Sequence, residues 1–213
     1  MKKRLKWLTS GHGNEKLRLY VLKMAEKYGN ENETADRLTK QIADFCADIV
    51  NNQSNARGGV FKAALFSIDN FVEFGKNTMA TPDGRRHGEP LSKNLCATVG
   101  MDKNGILALV NSVTSFEHSK YPNGSVLDVV LHPSAVVGDD GLDAFYGILK
   151  TYFDKGGFAM HANVFNAQDL RAAQADPRKY STLQVRVCGW NAYFVTLTKE
   201  EQDAFIRQAE NCE

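Results

Sequence analysis

Near its end this chain sets a thiol, a glycine and an indole side by side, in Arg186-Val187-Cys188-Gly189-Trp190. On pattern alone the segment is a β-hairpin. Residues 183–187 form a buried-type strand, Gly189 turns, and residues 192–197 form the return strand. Glycine supplies the positive φ that other residues resist. Cys188 is a tempting nucleophile, but neighbours on extended backbone point to opposite faces, so a small buried residue is the better reading. Arg186 reads as a structural anchor with five donors. Trp190, Tyr193 and Phe194 read as packing residues.

The remaining chemical residues are scattered. Cys46 falls on the inner stripe of a helix, Cys96 has no neighbouring acid or histidine in sequence, and Cys212 lies at a fraying end. No two cysteines have CxxC spacing, so no zinc or iron–sulfur site is expected and all read as free thiols. His132 closes a strand before Pro133 and His161 lies mid-strand. Either could line a substrate cavity, although backbone partners are the commoner fate of such histidines. Arg85-Arg86 could bind a carboxylate or phosphate, but a solvated turn is the simpler account. Gly58-Gly59 and Gly156-Gly157 are turn pairs, not phosphate loops.

Periodicity gives the elements that would hold these residues. Helical spacing runs over 15–28, with Leu17, Val21, Met24 and Ala25 on one side, and over 34–50 through Ala35, Leu38, Ile42, Phe45 and Ile49. Residues 60–66 are short and apolar, more strand than helix, 68–76 is ambiguous, and 106–115 could be helix or strand. The segment 81–90 is rich in turn residues and is the best candidate for an organisational boundary. Strands are predicted at 125–131 and 158–165. Helices are predicted at 142–154, after the Gly138-Asp139-Asp140 cap, and at 167–175 with Asn166 as cap. Thr198 and Glu201 make a capping box for a last helix to about residue 210. Strands and helices interleave, so the class is α/β.

Composition narrows the partners. With 26 basic and 25 acidic residues the net charge is +1, which points to neither nucleic acid nor an anionic membrane surface. No apolar run approaches the roughly 18 residues of a membrane span. The basic start Met1-Lys2-Lys3-Arg4 is followed by no apolar core of a signal peptide, so a cytoplasmic protein is expected.

Several motifs occur in an order that resembles the glycyl radical enzyme family, of which pyruvate formate-lyase is the best known. They are Thr81-Pro82-Asp83-Gly84-Arg85-Arg86-His87-Gly88-Glu89-Pro90, then 125–135 with His132-Pro133-Ser134, then His161-Ala162-Asn163-Val164-Phe165, Leu170 and Asp176-Pro177-Arg178-Lys179-Tyr180. They end in Arg186-Val187-Cys188-Gly189-Trp190-Asn191-Ala192-Tyr193-Phe194 and Leu197-Thr198-Lys199-Glu200-Glu201-Gln202-Asp203. The resemblance covers nearly the whole chain.

The resemblance implies that Gly189 is the radical site, the one catalytic residue to be named here. An α-carbon radical is stabilised by the amide nitrogen on one side and the carbonyl on the other, both coplanar with it, and a side chain would crowd that plane. The implied fold is the C-terminal portion of a ten-stranded α/β barrel, incomplete, with the glycine-radical loop. Residues 1–84 would end a pyruvate formate-lyase-like domain, and 92–213 would be the glycine radical domain. The flanking strands would hold the loop inside the barrel, away from solvent and oxygen.

The working cysteine of the family lies in an earlier part of the chain that has no counterpart here. The resemblance therefore implies a radical-storing part of a formate C-acetyltransferase, that is a transferase, or of a related lyase or dehydratase of anaerobic metabolism, not active alone. It implies no bound cofactor. It implies two partners: a radical S-adenosylmethionine activating enzyme with an iron–sulfur cluster, and the missing N-terminal portion. A homodimer stays open. Two alternatives remain: a stand-alone radical carrier that repairs an oxygen-cleaved enzyme, and a non-enzymatic α/β binding module in which Gly189 is only a turn.

Overall fold

The computed structural model describes residues 15–67, 70–187 and 189–210. Helix α1 (Glu15–Met24) and helix α2 (Glu33–Asn51) open it. Asn32 caps α2 by accepting the Ala35 N–H at 2.9 Å. The short helix α3 (Asn70–Lys76) and helix α4 (Gly105–Thr114) follow, and both ambiguous stretches thus resolve as helix in their described parts. Strand β1 (Val126–Leu131), helix α5 (Gly138–Asp154) and strand β2 (Ala159–Val164) form a parallel βαβ unit, with Val126 opposite Ala159 and Leu131 opposite Val164. Helix α6 (Ala167–Ala175), strands β3 (Gln184–Val187) and β4 (Trp190–Tyr193), and helix α7 (Lys199–Glu210) complete the chain.

Among the described residues three apolar clusters organise these elements, the smallest joining Phe71 and Val72 of α3 to Ala204 of α7. The largest joins Ala47 and Ala63 to Leu95, Val110, Val113, Tyr121, Leu127, Val129 and Tyr152, so it crosses the 81–90 segment. The second is local to the C-terminal part, with Phe165, Leu170, Val185, Val187, Phe194, Phe205 and Ile206. Gln202 fastens α7 to the end of the hairpin by donating to the Phe194 carbonyl at 3.0 Å. Thr198 and Glu201 form the expected box, the Thr198 N–H donating to the Glu201 carboxylate at 2.7 Å.

Four expectations are corrected. The apolar stripe of α2 does not face the core: Leu38, Ile42, Phe45 and Ile49 are each at least half exposed, and Cys46 is exposed with them. The buried side of α2 carries Asp36 and Ala47 instead, and the Asp36 carboxylate accepts the Ser112 hydroxyl at 2.7 Å. Periodicity names an apolar face but not which partner covers it.

Residues 60–66 make only isolated bridges, Ser54 with Val60 and Leu65 with Ser125, because each end finds a single partner and no ladder forms. Residues 194–197 are not strand. Phe194–Thr196 tightens into a 3₁₀ turn as the fully buried Phe194 pulls the chain toward α7.

Arg85 is not a solvated turn residue. It is buried, and its guanidinium donates to the carbonyls of Glu89 (2.6 Å), Thr78 (3.2 Å) and Met79. Arg86 stays exposed and pairs with Glu15 at 2.7 Å. The turn-rich segment is thus packed, and it lies against α3 at Gly75. A Cβ added to Gly75 would stand 2.5 Å from the Glu89 carbonyl oxygen. Gly75→Ala is expected to lower stability by about 1–3 kcal/mol, read by urea unfolding.

Candidate functional site

The hairpin is built by alternation. Val185 and Val187 point into the second core, while Gln184 and Arg186 face outward. Its register pairs Val187 with Trp190 and places Gly189 in the turn between the two strands. Gly189 has φ of +105°, a region that L side chains rarely adopt, and no atom lies within 4 Å of a Cβ added there. Gly189 is exposed at the tip, with Trp190 and Tyr193 each 48% exposed beside it. The enclosure expected of the two strands is therefore not provided within these residues. Cys188 and Cys212 lie outside the described residues.

Behind the hairpin the sheet holds a buried ionic cluster. Asp128 of β1 lies 3.2 Å from the Lys93 ammonium, with both side chains nearly fully buried. Asn94 donates to the other Asp128 oxygen, and His161 Nδ1 lies 3.3 Å away. Burial pushes the Asp128 carboxyl up, but His161, Lys93 and Asn94 together outweigh it and hold the group below its usual range. The Lys93 ammonium also sits 5.0 Å from the ring centre of Phe205, which ties the cluster to α7.

Cys96 Sγ donates to the Asp128 carbonyl at 3.2 Å, and burial pushes its thiol well up. That suits the structural reading of Cys96, not a nucleophile. Cys96 and His132 both line a cavity of about 270 Å³ with Leu131, Leu109 and Gln208. His132 Nδ1 stands 2.7 Å from the Ser134 hydroxyl and takes the cap position of a 3₁₀ turn, so its partners are local. His161 does not line that cavity. Arg186 anchors the hairpin from within, its guanidinium donating to Asn191 at 3.2 Å. Among the described residues no three metal-ligating side chains cluster, and no helix is long and apolar enough to cross a membrane.

Sequence reasoning missed Lys93 and Asp128 as a pair, and Asn163. Asp128 carried a signal, since a carboxylate inside Val126-Leu127-Asp128-Val129-Val130-Leu131 must find a partner when the strand is buried. Lys93 carried none.

Comparison with known proteins places this geometry. A family model described as glycine radical matches residues 91–195, and one described as pyruvate formate lyase-like matches residues 6–75. The chain is 35% identical over 205 residues to a (2S)-3-sulfopropanediol dehydratase of Klebsiella oxytoca, covering 93% of this chain and 25% of that protein. It is 35% identical over 187 residues to the 4-hydroxyphenylacetate decarboxylase glycyl radical subunit of Clostridium scatologenes, covering 87% of this chain and 21% of that one. Among solved structures, the glycerol-bound B12-independent glycerol dehydratase of Clostridium butyricum superposes with a TM-score of 0.90 at 38% identity, over 95% of this chain and 26% of that one. The chain thus spans about a quarter of the length of the curated relatives it matches. The architecture is a partial piece of their α/β barrel, as the motifs led one to expect.

Proposed function

Because this chain belongs to the glycyl radical enzyme family and carries its radical domain, we propose that it stores an unpaired electron on the α-carbon of Gly189. The single observation that carries the residue assignment is the hairpin turn. Gly189 is a glycine held at φ of +105°, at an exposed tip where an activating protein can reach it. Its α-carbon lies between the Cys188 amide and the Trp190 amide, which share the spin once one hydrogen has been removed.

In use, a cysteine S–H outside these 213 residues gives its hydrogen atom to the Gly189 α-carbon. The C–H bond is remade there and the unpaired electron moves to sulfur. The residues of this chain hold the tip in place for that exchange. The exposed tip requires cover from elsewhere, because oxygen adds to carbon radicals. The rest of the barrel would supply that cover, and the outward stripe of Leu38, Ile42, Phe45 and Ile49 offers it an apolar face. We assign residues 1–84 to a pyruvate formate-lyase-like part and 92–213 to the radical domain, a division that the separate matches to residues 6–75 and 91–195 support. The activator we infer is a radical S-adenosylmethionine enzyme of the cytoplasm, in anaerobic metabolism. The sulfopropanediol, glycerol and hydroxyproline dehydratases among the relatives favour a dehydratase or other lyase over an acetyltransferase.

The test is spectroscopic. The chain, completed by the remainder of its barrel, is activated without air and its electron paramagnetic resonance spectrum recorded. The one hydrogen left on the Gly189 α-carbon should split the signal into a doublet, and growth on α-deuterated glycine should collapse it. Admitting air should then cut the chain at residue 189. A signal unchanged by the label, or cleavage elsewhere, would remove Gly189 from the role.

A further inference from the structure

Among the described residues the two small sheets share no backbone ladder: β1 is laddered with β2, and β3 with β4. A side chain of β2 hydrogen-bonds between them. Asn163, the penultimate residue of β2, accepts the Arg186 N–H on its Oδ1 at 2.7 Å and donates from Nδ2 to the Arg186 carbonyl at 3.2 Å. A carboxamide offers the same donor and acceptor as a peptide unit, so Asn163 stands in for one residue of a neighbouring strand. It is 6% exposed, and water hardly competes for these two bonds.

The clamped residue is well chosen. Arg186 lies opposite Asn191 in the hairpin, and its guanidinium donates to the Asn191 side chain, which donates in turn to Gln184. Holding the Arg186 backbone therefore holds both arms. Beyond it lie only the Val187–Trp190 pair and the turn that contains Gly189. The second core packs the inward face of the hairpin through Val185 and Val187, and the two-bond amide pair adds a directional tie at the Arg186 backbone between them.

We propose that Asn163 is the positioning residue of the radical hairpin: its carboxamide locks the Arg186 backbone, fixes where the Gly189 α-carbon stands, and resists release of the tip for installation. This rests on Gly189 being the radical carrier, and the two ideas fail separately in the following test.

Hydrogen exchange on the chain itself is compared with Asn163→Leu and Asn163→Asp. Asn163→Leu removes the acceptor of the Arg186 N–H, and Asn163→Asp keeps that acceptor but loses the donor to the Arg186 carbonyl; by loosening the clamp each should lower protection of the Arg186 amide by about tenfold, the worth of a buried hydrogen bond. Amides of α4 and β1 should be unchanged. In Asn163→Asp the introduced carboxylate faces the Arg186 carbonyl as a second acceptor. Acidification should restore protection of the Arg186 amide, because the protonated acid can again donate to the Arg186 carbonyl and close the clamp. A loss of bulk stability would titrate equally at the amides of α4 and β1, whereas release of the clamp titrates at Arg186 alone; should Asn163→Leu not fold, Asn163→Asp decides by that comparison. In the completed protein, activated without air, Asn163→Asp should install the radical several-fold faster than the parent at neutral pH, whereas a merely damaged fold would install it more slowly. Unchanged Arg186 protection, loss spread equally over α4 and β1, or slower installation each overturn the clamp. Absence of any glycyl signal in the parent overturns the radical assignment and leaves the exchange result to judge the clamp.

Discussion

Gly189→Ala is expected to leave no radical signal at residue 189 after anaerobic activation, while lowering the stability of the chain by only about 1–3 kcal/mol. The two effects have different origins. The loss of stability comes from backbone conformation, since φ of +105° is hard for any residue with a Cβ. It does not come from collision, because the space around the added Cβ is empty. The hairpin keeps its Val185 and Val187 anchors, its Asn163 clamp and its Gln202 tie, so the rest of the fold should persist. The loss of signal comes from chemistry. With a methyl group in place, flattening the α-carbon drives that group against the flanking peptide atoms, and the amide planes twist out of conjugation. Urea unfolding and electron paramagnetic resonance on the same samples separate the two. A variant that stays folded yet still shows a signal at residue 189 would mean the unpaired electron tolerates a side chain, and the argument for glycine would fail.

The sequence was most legible where local chemistry decides. Asn166 caps a helix at 167–175 because its side chain accepts the Asp169 N–H, a contact three residues away that needs no tertiary knowledge. The Thr198–Glu201 box and the Gly189 turn are legible for the same reason. Reading failed where the partner is distant or lies outside these residues. The stripe of α2 has strong helical period, yet it is at least half exposed, and only Asp36 and Ala47 are buried on that helix. Arg85 looked like a surface turn because carbonyl acceptors at Thr78, Met79 and Glu89 leave no mark in side-chain pattern. Asn163 was visible inside a quoted motif, but its use depends on a strand 23 residues later.

Lys93→Met should destabilise the chain by about 3–5 kcal/mol, more than any surface change, because it leaves a buried carboxylate without its cation. Methionine nearly keeps the volume, so a cavity contributes little and the charge effect is isolated. Asp128 would retain Asn94 and His161, but it would lose the Lys93 ammonium and with it part of what offsets its burial. The second core would feel the loss too, since the Lys93 ammonium no longer lies against the Phe205 ring of α7. Removing both charges should harm less than removing one. Lys93→Met with Asp128→Asn is expected to recover about 1–3 kcal/mol relative to the sum of the single changes.

The same pair sets an acid limit on the fold. The folded Asp128 carboxyl lies below its usual range, so on acidification the unfolded chain takes up the proton first, near pH 4. The stability it contributes is full above that pH and is lost as the pH falls toward the folded value. Asp128→Asn should flatten this acid limb, and urea titrations between pH 3 and 7 would show it. If the single change Lys93→Met proved neutral, the cluster would be apolar packing with incidental charges, and α7 would be held to the sheet by Phe205 and its neighbours alone.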